Sequence, residues 1–469
     1  MKSAPEGTPR AAFTHANGTR PSLLLMEPAR SGSGTGPERG TGPEPGTGPE
    51  PVAGPETVAL STIALAFGQI GLTAYGMAVM AKLKSTVLGR RWLTAEQMNE
   101  GLALVQIYPG PIMIDFTAYV GYRLRGVRGA IAATLGFVTP SFILMVALSA
   151  LYFAGASLGW VREMVLGLDA IVVGVVMHVT LDFAKQYLAS TSAAAVAILA
   201  FTADIYGVSP VLVIVGALMA GALWMAPRAP AVDPTRSPSR SDPTRSPSRS
   251  DPTGSPSRAP GQAGQARRWL AIGALTSVVI ATAIVLVLAE PRRLATMGTG
   301  LLEIGAVAFG NGLTILPLIT NLAVVSHHWL TPGELSAGIA FGQVTPGPFL
   351  ITAAFIGYKL AGIPGAALAT FAIFSPSFAM TLGFTEVSGP LQRWRPVRGA
   401  LAGVMAAFVG LLSAIILQLG HPVIASRAST ALAGAALVAA RAFKLDMIWV
   451  FAGGLAIWAA AWQLGLLGH

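Results

Sequence analysis

The chain has 469 residues, 53% hydrophobic and only 11% charged, against about 25% charged in soluble globular proteins. That composition excludes a soluble fold and calls for an all-α integral membrane protein; with no cysteine, disulfides, zinc thiolates and thiol catalysis are excluded too. The net charge of +10 does not signal nucleic acid, because half of the excess lies in one linker.

In chain order, residues 1–57 read as a disordered tail with Thr-Gly-Pro-Glu repeats at 41–50. Its apolar run Leu23–Met26 is too short for a signal-peptide core. Six apolar segments follow, near 58–81, 98–122, 128–153, 163–183, 189–203 and 208–226. Most approach the ~20 residues a helix needs to cross a bilayer. Residues 227–268 hold eight arginines against three aspartates, in a nine-residue repeat starting at Asp233, Asp242 and Asp251. Rich in Pro and Ser, this stretch reads as a disordered linker lying near anionic lipid. A lone apolar segment, 269–289, comes next. Six more lie within 299–469, near 299–322, 335–358, 363–385, 397–418, 424–440 and 446–467. The count is about thirteen transmembrane segments, and it changes if 98–122 or its counterpart is re-entrant rather than spanning.

The two sets of six are one unit written twice. Ile70-Gly71-Leu72-Thr73-Ala74-Tyr75-Gly76 recurs as Ile304-Gly305-Ala306-Val307-Ala308-Phe309-Gly310, and Trp92-Leu93-Thr94 as Trp329-Leu330-Thr331. Gln106 with Pro109-Gly110-Pro111 answers Gln343 with Pro346-Gly347-Pro348, and Pro140-Ser141-Phe142 answers Pro376-Ser377-Phe378. Six spans return the chain to its starting side and the unpaired one reverses it, so the repeats are expected to be inverted, as in many secondary transporters. With the N-terminus inside, tail, linker and inner loops hold 22 Lys and Arg against nine outside. Without tail and linker the loops tie at nine each.

Pro-Gly-Pro inside an apolar segment, twice, is the strongest chemical signal. Proline removes a donor and pushes Tyr108 and Thr345 out of helical geometry. Each segment is therefore expected to be two half-helices, the second opening at Pro111 or Pro348 with unpaired amides at membrane depth. Such a terminus attracts an anion. The substrate-binding candidates are Gln106, Pro109, Gly110, Pro111, Ile112 and Met113 in the first repeat. In the second they are Gln343, Thr345, Pro346, Gly347, Pro348, Phe349 and Leu350. Gly76, Gly310 and Asn311 are expected to pack nearby, whereas Gly121 and Gly357 read as helix-end packing residues. On this view, replacing either triplet with alanines would heal a helix and hold or raise stability.

Ionisable residues within spans are functional candidates. Asp115, four residues after Pro111, is the candidate for coupling to an ion. Asp169, His178 and Asp182 read as paired or edge residues, and Glu303 as a helix-start carboxylate. His327-His328 lacks a second ligand pair, so no metal is assigned. No cofactor is called for, no Walker motif is present, and no nucleophile–base pair suggests an enzyme.

At these residues the chain resembles the chromate ion transporter family. The resemblance is carried by Ala74-Tyr75-Gly76, Trp92-Leu93-Thr94, Gln106 through Pro111, and Gly121-Tyr122 with Gly126, Gly129 and Pro140. In the second half it is carried by Ala308-Phe309-Gly310, Gln343 through Pro348, and Phe355-Ile356-Gly357-Tyr358. It implies a multi-pass protein of the plasma membrane that exports chromate, an oxyanion shaped like sulfate, driven by an ion gradient. The chain departs from the family pattern at Met77-Ala78, where Gly-Pro is usual, and at Asp115, where Gln is common. Alternatives are a transporter of sulfate or another anion, and a non-transporting membrane receptor or scaffold. The expected partners are the oxyanion and the lipid bilayer, with no nucleic acid; homo-oligomerisation stays open.

Overall fold

Two capping boxes locate the half-helices. Thr94 accepts from the Gln97 amide while Gln97 accepts from the Thr94 amide, and Thr331 and Glu334 do the same. The Trp-Leu-Thr motif is thus the end of a turn and an N-cap, satisfying orphan donors of the helix that follows. The computed structural model describes residues 58–74, 78–155, 158–225, 262–288, 292–310, 312–387, 395–443 and 445–465. The tail 1–57, residues 226–261 including most of the linker, Gly76 and Asn311 lie outside these.

The first repeat comprises α1 (Leu60–Thr73), α2 (Ala78–Gly89), α3 (Ala95–Leu104), α4 (Ile112–Gly155), α5 (Gly159–Tyr187), α6 (Thr191–Ile205) and α7 (Pro210–Trp224). The unpaired helix is α8 (Gln262–Leu288), which takes up the last residues assigned above to the linker. The second repeat comprises α9 (Arg292–Val307), α10 (Leu316–Thr320), α11 (Pro332–Val344), α12 (Thr352–Val387), α13 (Arg395–Ile424), α14 (Arg427–Arg441) and α15 (Met447–Gln463). A π-helical turn, Asn321–Ser326, extends α10. Four helices among the described residues are long and apolar enough to cross a membrane: Ile112–Gly155, Gly159–Tyr187, Phe349–Glu386 and Pro396–Ile424.

The halves on either side of each Pro-Gly-Pro do not continue one another; they turn back. Tyr119 Oη donates to the Gln97 carbonyl at 3.0 Å, whereas on one straight helix these residues would lie about 30 Å apart. In the second repeat Lys359 pairs with Glu334 at 2.6 Å, and a Cβ on Gly338 would lie 2.8 Å from the Phe355 ring. α3 and α11 are thus antiparallel to the starts of α4 and α12, and the triplets sit at hairpin tips. The preceding elements fold likewise. The Phe67 and Trp92 rings are 6.1 Å apart, and a Cβ on Gly300 would lie 2.6 Å from Leu322. Segments 58–81 and 299–322, expected as crossings, and 98–122 and 335–358, for which crossing or re-entry stood open, are hairpins that return to the end they left.

α4 and α12 each reverse once more. Arg125-Gly126 and Ala361-Gly362 leave helical geometry, with Gly126 at φ 59° and Gly362 at φ 60°, a left-handed turn that favours glycine. Each helix therefore has a short limb (112–124 or 352–360) and a long limb (127–155 or 363–387). The limbs touch backbone to backbone: a Cβ on Gly121 would lie 2.4 Å from the Gly129 carbonyl, and one on Gly357 2.2 Å from that of Gly365. Both glycines are packing residues, as read from the sequence.

Each repeat completes its core with the other. α5 packs on α14 and α15, α13 packs on α6 and α7, and α5 and α13 meet at the centre. In a second cluster α1 lies on the long limb of α4, α9 on that of α12, and α4 meets α12, with α8 alongside. Small residues allow the close approach: Gly174 faces Ala433 and Ala436, and Gly221 faces Gly403.

Candidate functional site

Both hairpin tips are stitched into the opposite repeat. Gly110 and Pro111 pair with Phe309 and Gly310 in a two-stranded parallel ladder. Reciprocally, the Gly347 amide donates to the Ala74 carbonyl at 3.3 Å. The Pro-Ser-Phe motifs complete the exchange. A Cβ on Gly110 would lie 3.0 Å from Ser377 Cβ, and one on Gly347 would lie 2.4 Å from Ser141 Oγ. A contact made in both directions between equivalent residues is self-inverse, the mark of a two-fold relation. Gly310 takes part in this packing directly, as strand partner of Pro111.

At the second tip Thr345 is extended (φ −72°, ψ 136°), the geometry expected of the residue before Pro346. Pro348 is extended too (φ −80°, ψ 131°), so it caps the following turn, Phe349–Ile351, rather than opening it. The amides of Phe349 and Leu350 lie in that first turn, where a helix has no internal acceptors. Leu350 is buried and Phe349 half-buried. Thr345 uses its donors locally, through its amide to Phe341 O at 2.9 Å and its hydroxyl to Gly342 O at 3.4 Å. The Gln343 side-chain nitrogen is buried without an acceptor. Its repeat mate Gln106 is exposed, so the two glutamines do not converge.

At the first tip Gly110 and Pro111 are buried, and Pro109, Ile112 and Met113 are half-buried. Asp115 is fully buried, and its Oδ2 would stand 1.9 Å from a Cβ on Gly110, so the carboxylate lies against the tip backbone. Ser377 and Thr381 of α12 face it. Their hydroxyls lie in hydrogen-bond geometry with Phe374 O at 3.3 Å and Ser377 O at 2.9 Å, and neither carboxylate oxygen has a partner in that geometry. Tyr108 donates to Thr381 Oγ1 at 2.8 Å and stacks on Phe384 at 4.8 Å. The two-fold mate of Asp115 is Thr352, which donates to Phe349 O at 2.9 Å.

Other ionisable residues fall outside the tips. Asp182 pairs with Arg441 at 3.0 Å and His178 at 3.5 Å, the edge pairing expected. Glu303 is exposed late in α9, not at a helix start. Asp169 was not singled out from its neighbours, yet it is buried with one oxygen unpartnered, facing Gly333 and Ser336 of α11. It belongs to an asymmetry between the hairpins. α11 packs on α5 and α15, and its residues 335–340 are all buried. α3 makes no contact of that extent with α13 or α7, and Glu96, Asn99, Glu100 and Ala103 are exposed. A cavity of about 440 Å³ between the long limbs and α8 is lined by two-fold mates such as Leu135 with Phe371 and Val138 with Phe374. Its apolar wall suits a lipid chain, not an anion.

The chromate transporter family model matches residues 61–222 and 295–459, one match for each repeat. Over 409 residues the chain is 29% identical to the chromate transport protein of Pseudomonas aeruginosa, covering 84% of this chain and 90% of that one. It is 27% identical over 373 residues to the chromate transport protein of Cupriavidus metallidurans, covering 77% and 82%. It is also 27% identical over 362 residues to an uncharacterized transporter of Methanocaldococcus jannaschii, covering 76% and 83%. No solved structure matches. With both repeats matched, and the motifs of that match gathered at two interlocked hairpin tips, the chain belongs to the chromate transporter family.

Proposed function

We propose that this protein exports chromate across the plasma membrane, driven by an ion gradient, with the oxyanion held between the two Pro-Gly-Pro tips. The observation that carries the reading is the reciprocal stitching of the tips, which places the first turns of α4 and α12 beside one two-fold axis. The donors are the amides near Ile112, Met113, Phe349 and Leu350, together with the Gln343 side chain. Asp115 supplies the coupling charge.

The hairpins also favour one topology. Counting the long limbs, α5–α8 and α13–α15 as crossings gives nine, with four re-entrant hairpins, and α8 inverts the second repeat relative to the first. With the N-terminus inside, Lys82, Lys84, Arg90, Arg91, Arg123, Arg125, Arg128, Lys185, Arg395, Arg398 and Arg441 then lie toward the inside. Arg162, Arg292, Arg293, Lys359 and Arg427 lie toward the outside. Among the described residues outside tail and linker, eleven against five agrees with the positive-inside rule. Alternating access follows from the unequal docking of the hairpins: α11 is closed on α5, and α3 stands open.

Chromate accumulation in cells with and without the protein, measured with and without sulfate, tests the reading. Expression should lower chromate content. Unchanged content at normal expression would refute chromate export, and a change confined to sulfate would transfer the same site to that cargo.

A further inference from the structure

The two tips are related by the repeat but not by chemistry. Ser377 and Ser141 correspond and each faces a tip, yet the residues around them have diverged. Asp115 stands where the second tip has Thr352, Tyr108 where it has Thr345, and Thr381 where it has Met145. Around the first tip each side-chain hydroxyl has an acceptor other than the carboxylate. Ser377 gives its proton to Phe374 O, Thr381 to Ser377 O, and Tyr108 to Thr381 Oγ1. What they present is oxygen lone pairs around a fully buried carboxylate, neither oxygen of which has a partner in regular hydrogen-bond geometry. Such a set repels an anion and satisfies a cation. A buried carboxylate without a partner is costly, and one negative charge balances one positive charge. Among the described residues there is no cluster of three acidic or histidine side chains of the kind a divalent metal needs. At the second tip the balance is reversed, with no carboxylate and with a buried amide nitrogen, on Gln343, lacking an acceptor.

We propose that the first tip is a monovalent-cation site formed by Asp115 with the hydroxyl oxygens of Ser377, Thr381 and Tyr108, and that the oxyanion is held chiefly from the second tip. The cation is a sodium ion ligated by these oxygens, or a proton on Asp115 shared with a neighbouring hydroxyl. Its arrival removes the charge that would repel the anion across the axis, so the ions bind cooperatively. Tyr108 is the titratable side chain facing Asp115. This deepens the transport reading by dividing the labour of one site, and the cation site stands or falls apart from the choice of oxyanion.

The test uses the purified full chain. Thermal stability is followed against sodium chloride, with choline chloride as control, and the carboxyl stretch of Asp115 is followed by infrared difference spectroscopy as pH is changed. A sodium-specific rise in the unfolding midpoint, lost in Asp115→Asn and weakened at least tenfold in concentration dependence by Thr381→Met, identifies sodium. A protonation band lost in Asp115→Asn, without a sodium effect, identifies the proton. Absence of both overturns the proposal. Chromate-dependent stabilisation of the same samples reads the anion separately. Gln343→Leu should weaken it while leaving the cation response intact, and loss of the cation response in Gln343→Leu alone would overturn the division.

Discussion

Gly347→Ala should destabilise the protein and stop transport for two separable reasons. Gly347 has φ 108°, outside the wells open to side-chain-bearing residues, and holding alanine there costs about 1–3 kcal/mol. A Cβ would also lie 2.4 Å from Ser141 Oγ and 3.0 Å from Ser141 Cβ. The tip or the α4 limb must then shift, at about 1–3 kcal/mol for overpacking. The sum, roughly 2–6 kcal/mol, is large against the 5–15 kcal/mol typical of a folded domain. Ser141→Ala removes the nearer atom and leaves the backbone strain. The double variant should therefore recover about 1–2 kcal/mol of the loss, a coupling in the range seen for touching residues. Unfolding of the four proteins in detergent, with flux in proteoliposomes, completes the cycle. Wild-type stability in Gly347→Ala, or no rescue by Ser141→Ala, would show that this tip is not seated on α4.

Single cysteines in 82–92 and 323–334 should react with impermeant reagents from opposite sides of the membrane; reaction of both from one side rules out inversion. Deletion of residues 233–259 should leave expression and flux near normal, whereas lost flux at normal expression makes the linker a working part. Asp115→Asn should yield a protein whose flux no longer varies with pH or with sodium while oxyanion binding persists, and a flux that still varies with the coupling cation as in the wild type would return Asp115 to a structural role. Cysteines at Val165 and Gly333, where a Gly333 Cβ lies 2.9 Å from Val165, should cross-link in the state described. Their two-fold counterparts, Glu96 and Leu401, should cross-link in the opposite state; failure to capture that second pair under turnover refutes alternating docking.

The repeat, the breaks and the lone helix α8 were legible because motif spacing and apolar runs record them directly. The direction of the chain after each break was not. Hydropathy measures apolar length, and 98–122 is as long whether it crosses or folds back. A clue was electrostatic: with 58–81 as a crossing, Lys82, Lys84, Arg90 and Arg91 count as outside and contribute to the tie of nine each, whereas a hairpin puts them on the proposed inner side. Alanines in place of Pro-Gly-Pro therefore have no straight helix to heal, and the gain in stability expected from the sequence does not follow. Asp115 could be suspected from its place after Pro111, but its ring of hydroxyls could not. Ser377 and Thr381 come from the other repeat, more than 250 residues away, and only the exchange of tips brings them together.

That exchange sets a timetable for synthesis. Gly110 finds its strand partner at Phe309, about 200 residues downstream, which at roughly 5–20 residues per second is some 10–40 s of translation. Ala74 waits longer still, for Gly347. Through that interval the first hairpins carry backbone groups that hydrocarbon cannot satisfy, at several kcal/mol each. Until the second repeat is made, those groups lack the partners that satisfy them in the finished molecule. In the finished molecule each repeat supplies backbone partners that the other cannot find within itself.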